Sequence, residues 1–316
     1  PYCSAATGSP GCKTPSGPIP APRIIAGLSS IADRYDGFII DLWGVLHDGQ
    51  TPYDGALEAL RNLKARGRKI ALLSNSSEVA AAVAAELRAI GFADSLYDAL
   101  VTSGGLVGHA LRGDASIWLP GRQGKIFLVG APANIAQFGN PALRRVKTPE
   151  QAGLVLNAWY DNEWSGDPLG NCHAWQADMQ HWQMLGLPMI CINPDREVIH
   201  FGRRVLCPGI FADAYEAIGG KVFYYGKPHA SAFRAAVQAL ALPPESNLAM
   251  IGDNLLTDIK GGLDFGLDTI LITGGVHCAA LESAWGTMPA PEKLAALCAA
   301  HNLTPAMAMP RLVFEG

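Results

Sequence analysis

A chain of 316 residues, 49% of them hydrophobic, holds enough apolar surface for a substantial core in one or two domains. Only 16% of residues are charged and the net charge is −4 with no basic block, which argues against nucleic acid or an anionic membrane as a partner. No run of 18 apolar residues is present to span a bilayer, and seven cysteines, scattered and odd in number, suit reduced thiols in a cytoplasm better than a disulfide framework.

Residues 1–22 are rich in Pro, Gly and Ser, show no periodicity and lack the apolar stretch of a signal peptide, so they read as a flexible N-terminal arm. The run "GFIID" at 37–41 is a short apolar strand. A helix follows over 54–67, with Leu57, Leu60 and Leu63 on one face, Asp54 as N-cap and Gly67 as the stop. "KIALLS" (69–74) is the next strand, and a second helix ends at Gly91. Strand-like "DALVTS" and helix-like "GLVGHALRG" complete this stretch, up to residue 113.

"KIFLVG", "GLVLNA" and "PMICIN" are further strands, separated by helical or loop segments. The rhythm then resumes with strand "KVFYYG", a helix over 230–241, strand "NLAMIG", a helix over 255–265 and strand "DTILIT". Apolar strands without polar alternation, each followed by a helix, predict a parallel sheet covered on both faces in a doubly wound α/β chain. Residues 157–185 hold four of the seven tryptophans, and regularity is weakest there. An inserted second domain accounts for this, and the tryptophans suit a substrate surface and buried packing about equally well. Cys172, His173 and His181 lie close in sequence, but their spacing is wrong for zinc.

In open α/β sheets, ligands sit beyond the carboxyl ends of the strands. Asp41 follows the first strand, and Ser74, Asn75, Ser76 and Ser77 follow the second. Gly226, Lys227 and Pro228 follow "KVFYY", while Gly252, Asp253, Asn254 and then Asp258 follow "NLAMI". Two carboxylates at neighbouring strand ends make a hard oxygen site suited to Mg²⁺. Hydroxyls, loop amides and a lysine suit a phosphate. Asp41 is then placed to attack phosphorus as a nucleophile.

Together, "DLWGVLHDG", "LLSNSS", "GKPH" and "GDNLLTDI" resemble the four motifs of the haloacid dehalogenase superfamily, over about residues 36–275. The resemblance implies a Rossmannoid core with a parallel sheet, an aspartyl-phosphate intermediate and Mg²⁺. Asp41 resembles the nucleophile, Ser74 the phosphate-binding hydroxyl with Asn75 beside it, and Lys227 the third-motif lysine. Asp253 resembles the metal ligand that acts with Asp41 and the backbone carbonyl of Trp43, supported by Asp258 and Asn254. Between Asp41 and Ser74 there is room for one helix only, whereas 153 residues separate Ser74 from Lys227. The inserted α/β domain therefore resembles the C2 cap of class IIA, the NagD and p-nitrophenyl phosphatase-like branch, as do "INPD" at 192–195 and "VTSGG" at 101–105. The opening "DxWGVLHxG" resembles a narrower, poorly characterised subgroup of that branch. The expected boundaries are an arm over 1–22, core over 23–113, cap over 114–220 and core over 221–316. The implied ligand is a small-molecule phosphate monoester, with Asn193 and Asp195 as cap contacts unless they only form a turn around Pro194. A homodimer through the cap stays open.

One position departs from the pattern. The second aspartate of Asp-x-Asp, the usual general acid, is Trp43 here. An indole N–H cannot shuttle that proton, and such help is commonly worth about 10²–10⁴-fold. His47 or Asp48 on the following loop are candidate donors, against a plain reading as loop polar residues facing water. Two functions follow. One is a Mg²⁺-dependent phosphatase; the other is a pseudo-phosphatase that binds phosphorylated ligands without turnover.

Overall fold

The computed structural model describes residues 21–130, 135–161, 170–200 and 203–315. Most of the expected N-terminal arm, residues 1–20, lies outside them, as does Trp164. The chain opens with strands β1 (Arg23–Ile24), β2 (Gly37–Ile40), β3 (Lys69–Ser74) and β4 (Ala99–Thr102), interleaved with helices α1 (Ala56–Ala65) and α2 (Ala80–Ala89) and followed by α3 (Ser103–Gly113). It then builds β5 (Lys125–Gly130), β6 (Arg144–Arg145), β7 (Leu154–Ala158), α4 (Gln176–Met184), β8 (Met189–Cys191), the strands β9 (Glu197–His200) and β10 (Arg203–Leu206), α5 (Pro208–Ala217) and β11 (Val222–Tyr224). It closes with α6 (Ala230–Leu240), β12 (Leu248–Gly252), α7 (Lys260–Phe265), β13 (Asp268–Ile272), α8 (Cys278–Leu281), α9 (Pro291–His301) and β14 (Met307–Met309).

Seven strands form the main sheet in the order β1-β14-β13-β12-β2-β3-β4, all neighbours parallel. Strand β2, inside this sheet between β12 and β3, is buried along its whole length, as expected of a strand without polar alternation that is covered on both faces. Phe38 and Ile40 pack with Leu60, Leu63 and Phe92 in one cluster, while Ile39 packs with Phe233 and Met250 in another. The pleat thus sends successive side chains to opposite layers of helices.

A second, parallel sheet of five strands, β11-β8-β7-β5-β6, is inserted between β4 and β12, and β9 and β10 pair as an antiparallel ribbon beside it. This is the inserted α/β unit expected of the fold class. Its second edge lies beyond residue 220, because Val222–Tyr224 pairs with Met189–Cys191 rather than with a main-sheet strand. Trp159 and Trp182 are buried with Phe211 and Tyr215 in the core of this unit, with Trp175 against them. For these three, the aromatic clustering is packing.

Local signals differ at two helix starts. Asp54 does not cap α1; Gly55 occupies that position at φ +89° without a side-chain cap. The helix expected over 255–265 opens as a π-helical turn, Leu255–Ile259, capped by Asn254 Oδ1 accepting from Leu256 N at 2.9 Å. The wide turn matters because it carries Asp258, which is fully buried. Single π turns inside helices are frequent at functional sites.

Candidate active site

Strands β2 and β12 are hydrogen-bonded neighbours, so the residues that follow them, Asp41 and Asp253, emerge side by side at one edge of the sheet. The Asp41 N–H bonds the Ile251 carbonyl at 2.9 Å, holding it in line with the strand end. Ser74 ends β3, the strand on the other side of β2. Lys227 arrives differently from what the sequence suggests. The strand before it belongs to the second sheet, so it enters the site on the chain's return crossing into the core.

Lys227 is the hinge of the charge arrangement. Its side chain is 2% exposed, and its Nζ lies 2.6 Å from Asp41 Oδ1 and 2.7 Å from Asp258 Oδ1. Burial alone would lower this ammonium, but Asp258, Asp41 and Asp195 together raise it. Burial raises the Asp41 carboxyl despite the attraction of Lys227, and it raises Asp253 well above the carboxylate range with Asp41 and Asp258 adding to the effect. Asp258 is pushed up to about 6 by burial and by Asp41. Oxygens of Asp41, Asp253 and Asp258 all lie within 4.8 Å of one another, and among the described residues this is the one group able to hold a metal ion. Three buried carboxyls around a single ammonium cannot all ionise without surplus negative charge, which is what a hard divalent cation with oxygen ligands neutralises. The residues therefore fit Mg²⁺. Cys172 is buried in the second unit, while His181 pairs with Glu150 at 2.7 Å, and among the described residues the metal-ligating group is the aspartate cluster alone.

Two glycines permit these approaches. Gly44 sits at φ +78°, and a Cβ there would lie 2.0 Å from Asp253 Oδ2. Gly226 sits at φ +121°, and a Cβ there would lie 2.5 Å from Asn75 Oδ1. Both conformations favour glycine for backbone reasons as well. The Asp253 oxygen that would meet Cβ at Gly44 also accepts the Val276 N–H at 2.8 Å, a contact from the loop after β13 that no sequence motif announced.

Asn75 ties the loop after β3 to the rest of the site. Its Oδ1 accepts the Lys227 N–H at 2.7 Å, and its Nδ2 donates to the Lys227 carbonyl at 3.0 Å and to Asp195 Oδ1 at 2.9 Å. Ser74 Oγ accepts from Ser76 N at 3.1 Å. Asn193 and Asp195 do form the expected turn, with Asp195 N donating to Asn193 Oδ1 at 2.9 Å, yet both also line the cleft. Asn193 Nδ2 reaches Tyr160 Oη at 3.3 Å; Tyr160, unremarked in the sequence, is part of the wall. The cleft measures about 1000 Å³ and takes in Asp41, Ser74, Asn75, Lys227, Asp253 and Asp195.

Neither candidate proton donor is placed for that work. His47 is buried against Trp43 and Phe92, and it borders a separate cavity of about 40 Å³ behind Trp43 rather than the cleft. Its Nδ1 accepts the Gly49 N–H at 2.9 Å, and burial lowers its pKa to about 4, so the ring stays neutral at pH 7. Asp48 does border the cleft, but its Oδ1 accepts from Gln50 N and Thr51 N, which hold the carboxylate below its ordinary range. An acid so stabilised in its ionised form gives up no proton near neutrality.

A family model described as haloacid dehalogenase-like hydrolase matches residues 38–138, and one described as HAD-hydrolase-like matches residues 224–297. The chain resembles a solved hydrolase of the haloacid dehalogenase-like family from Brucella suis 1330, with a TM-score of 0.73 and 30% identity, covering 92% of this chain and 100% of that one. The D-glycerol 3-phosphate phosphatase of Mycobacterium tuberculosis is 30% identical over 258 residues, 80% of this chain and 67% of that protein. Chronophin of Mus musculus is 26% identical over 279 residues, 85% of this chain and 90% of that protein.

Proposed function

The chain belongs to the haloacid dehalogenase-like hydrolases, and from that premise we propose that it is a Mg²⁺-dependent phosphatase of a small phosphate monoester. The observation that carries this reading is the Asp41 carboxylate, which lines the cleft with Asp253, lies 2.6 Å from Lys227 Nζ and is grouped with Asp253 and the fully buried Asp258. Asp41 is the nucleophile and forms the aspartyl phosphate. Lys227 and the Ser74 hydroxyl bind the transferring phosphoryl oxygens, and Asn75 holds the Lys227 loop in register. Asp41, Asp253 and the Trp43 backbone carbonyl would hold the ion, with Asp258 and Asn254 supporting from behind. Bound there, Mg²⁺ neutralises the charge of the phosphoryl group.

The inserted unit acts as a C2 cap and chooses the substrate. Its relatives include a phosphatase of D-glycerol 3-phosphate and a ribonucleotide monophosphatase, which supports a small organic monoester as the substrate class. A reducing cytoplasmic setting suits the free thiols of Cys191, Cys207, Cys278 and Cys298. Among the described residues, no helix is long and apolar enough to cross a membrane. Homodimerisation through the cap belongs to the same reading, and sedimentation velocity tests it.

Trp43 favours a second reading, a phospholigand-binding protein without turnover. Hydrolysis of p-nitrophenyl phosphate separates the two, because nitrophenolate leaves without protonation. Mg²⁺-dependent release that vanishes in Asp41→Asn supports the phosphatase; no release, together with calorimetric binding of phosphate esters, supports the binding protein. A panel of metabolite phosphates then identifies the substrate.

A further inference from the structure

The phosphatase reading leaves a chemical gap: neither His47 nor Asp48, the two candidate donors on the loop after Asp41, is placed to protonate an alkoxide leaving group. The second unit supplies a carboxyl that no motif assigned to this task. Asp195 lines the same cleft as Asp41, half-buried on the turn after β8. That turn is braced from three sides. Asn193 Oδ1 accepts the Asp195 N–H, and the Asp195 carbonyl accepts the Gly209 N–H at 3.1 Å from the start of α5. Asn75 Nδ2 donates to Oδ1 at 2.9 Å. Since that oxygen is taken by a donor, Oδ2 is the atom left to carry a proton.

We infer that Asp195 is the general acid and base of this enzyme, standing in from the cap for the aspartate that Trp43 replaces. The inference rests on the phosphatase reading. In the first step an Asp41 oxygen forms a bond to phosphorus, the bond from phosphorus to the ester oxygen breaks, and that oxygen takes the proton from Asp195 Oδ2. The products are the free alcohol, the aspartyl phosphate and the Asp195 carboxylate. In the second step Asp195 takes a proton from water as the water oxygen bonds phosphorus. The Asp41 carboxylate leaves, inorganic phosphate is released and Asp195 is again protonated, so charge and atoms balance over the cycle.

The surroundings suit an exchangeable proton. Burial pushes the Asp195 carboxyl up to about 6, against the pull of Lys227 and the Asn75 hydrogen bond and with Asp258 adding to the rise. Asp41, Tyr160 and Cys207 also feel its charge. A group titrating near the operating pH serves both directions of transfer.

The test is Asp195→Asn, which keeps an acceptor for Asn75, with Asp195→Glu as the control that restores a carboxyl and thermal melts to confirm folding. Turnover of an alkyl ester, glycerol phosphate, should fall by about 10²–10⁴-fold. Release of the first equivalent of nitrophenol from p-nitrophenyl phosphate should change by less than tenfold, and a burst followed by slow turnover should appear because the second step has lost its base. In the wild type, kcat/KM for the alkyl ester should decline above a pKa near 6, and that limb should be missing in Asp195→Asn. An unchanged alkyl-to-aryl rate ratio in a folded Asp195→Asn overturns the inference while leaving the phosphatase standing. A wild type that hydrolyses neither ester overturns the phosphatase and this inference with it.

Discussion

Replacing Asp258 with Asn measures the charge stored beneath the site. Asp258 is fully buried, and burial with the Asp41 charge moves its carboxyl from 3.8 up to about 6 in the folded protein, against Lys227 and the Asn254 N–H. A folded pKa above the unfolded one means that the native state holds this proton more tightly. The stability it contributes is fully present below about pH 4 and is lost as pH rises through about 6. At about 1.4 kcal/mol per unit, the shift corresponds to about 3 kcal/mol over that window. Asn at this position has no proton to lose and keeps an oxygen for the Asn254 N–H, a 3.0 Å bond to Oδ2 in the native protein. Urea unfolding in chelator from pH 4 to pH 8 should therefore show the wild type losing about 3 kcal/mol relative to Asp258→Asn as pH increases. Adding millimolar Mg²⁺ should offset the loss above pH 6, because an ion that binds only the folded, ionised cluster stabilises it. A difference that is flat, or that grows in favour of the wild type with pH, would refute the assignment of raised carboxyl pKa values to this cluster.

Gly44→Ala should weaken Mg²⁺ binding at least tenfold by titration calorimetry and cost about 1–3 kcal/mol in unfolding free energy, since the residue sits at φ +78° with Asp253 Oδ2 only 2.0 Å from the new Cβ. Trp43→Asp, made in the Asp195→Asn background, should restore glycerol phosphate hydrolysis by tenfold or more by returning an acid to the core side; a folded, Mg²⁺-binding double variant without rescue would count against the proton bookkeeping. Asn75→Ala removes bonds to Asp195, Lys227 N and Lys227 O. It should lower stability by about 1–3 kcal/mol in urea unfolding and reduce kcat more than it raises KM.

The parallel sheet was legible because each central strand is an apolar run that ends abruptly in polar residues. Asp41, Ser74 and Asp253 stand at those transitions, and neighbouring strands then bring them together. The elements that escaped are short: β1 has two residues and β14 three, too few for any period to show, and their place comes from pairing with each other across the length of the chain. His47 looked like a solvated loop residue because its burial depends on Phe92, from a distant helix end, and on Trp43. Asp54 looked like a cap because its side chain has the right chemistry; the backbone instead turns at Gly55, where a left-handed φ sets the entry to α1.

The least legible feature is the link between the two sheets. Asn75 lies next to Ser74 in sequence and reads as one more phosphate-loop residue, yet its side chain bonds Asp195 across 120 residues and Lys227 across 152. Hydrophobic periodicity carries no information about such a bond, because it is set by how the inserted unit docks on the core and not by the pattern of either. The consequence is chemical. Asp41 belongs to the core and Asp195 to the insertion, so the nucleophile and the proposed acid share a cleft only while that docking holds. An aspartate two residues after the nucleophile would ride on the same loop and be indifferent to the position of the cap. With Trp43 at that place, proton transfer is tied to the contact between the two units, and the Asn75 amide is the side chain that joins acid, lysine loop and phosphate loop in one hydrogen-bonded unit.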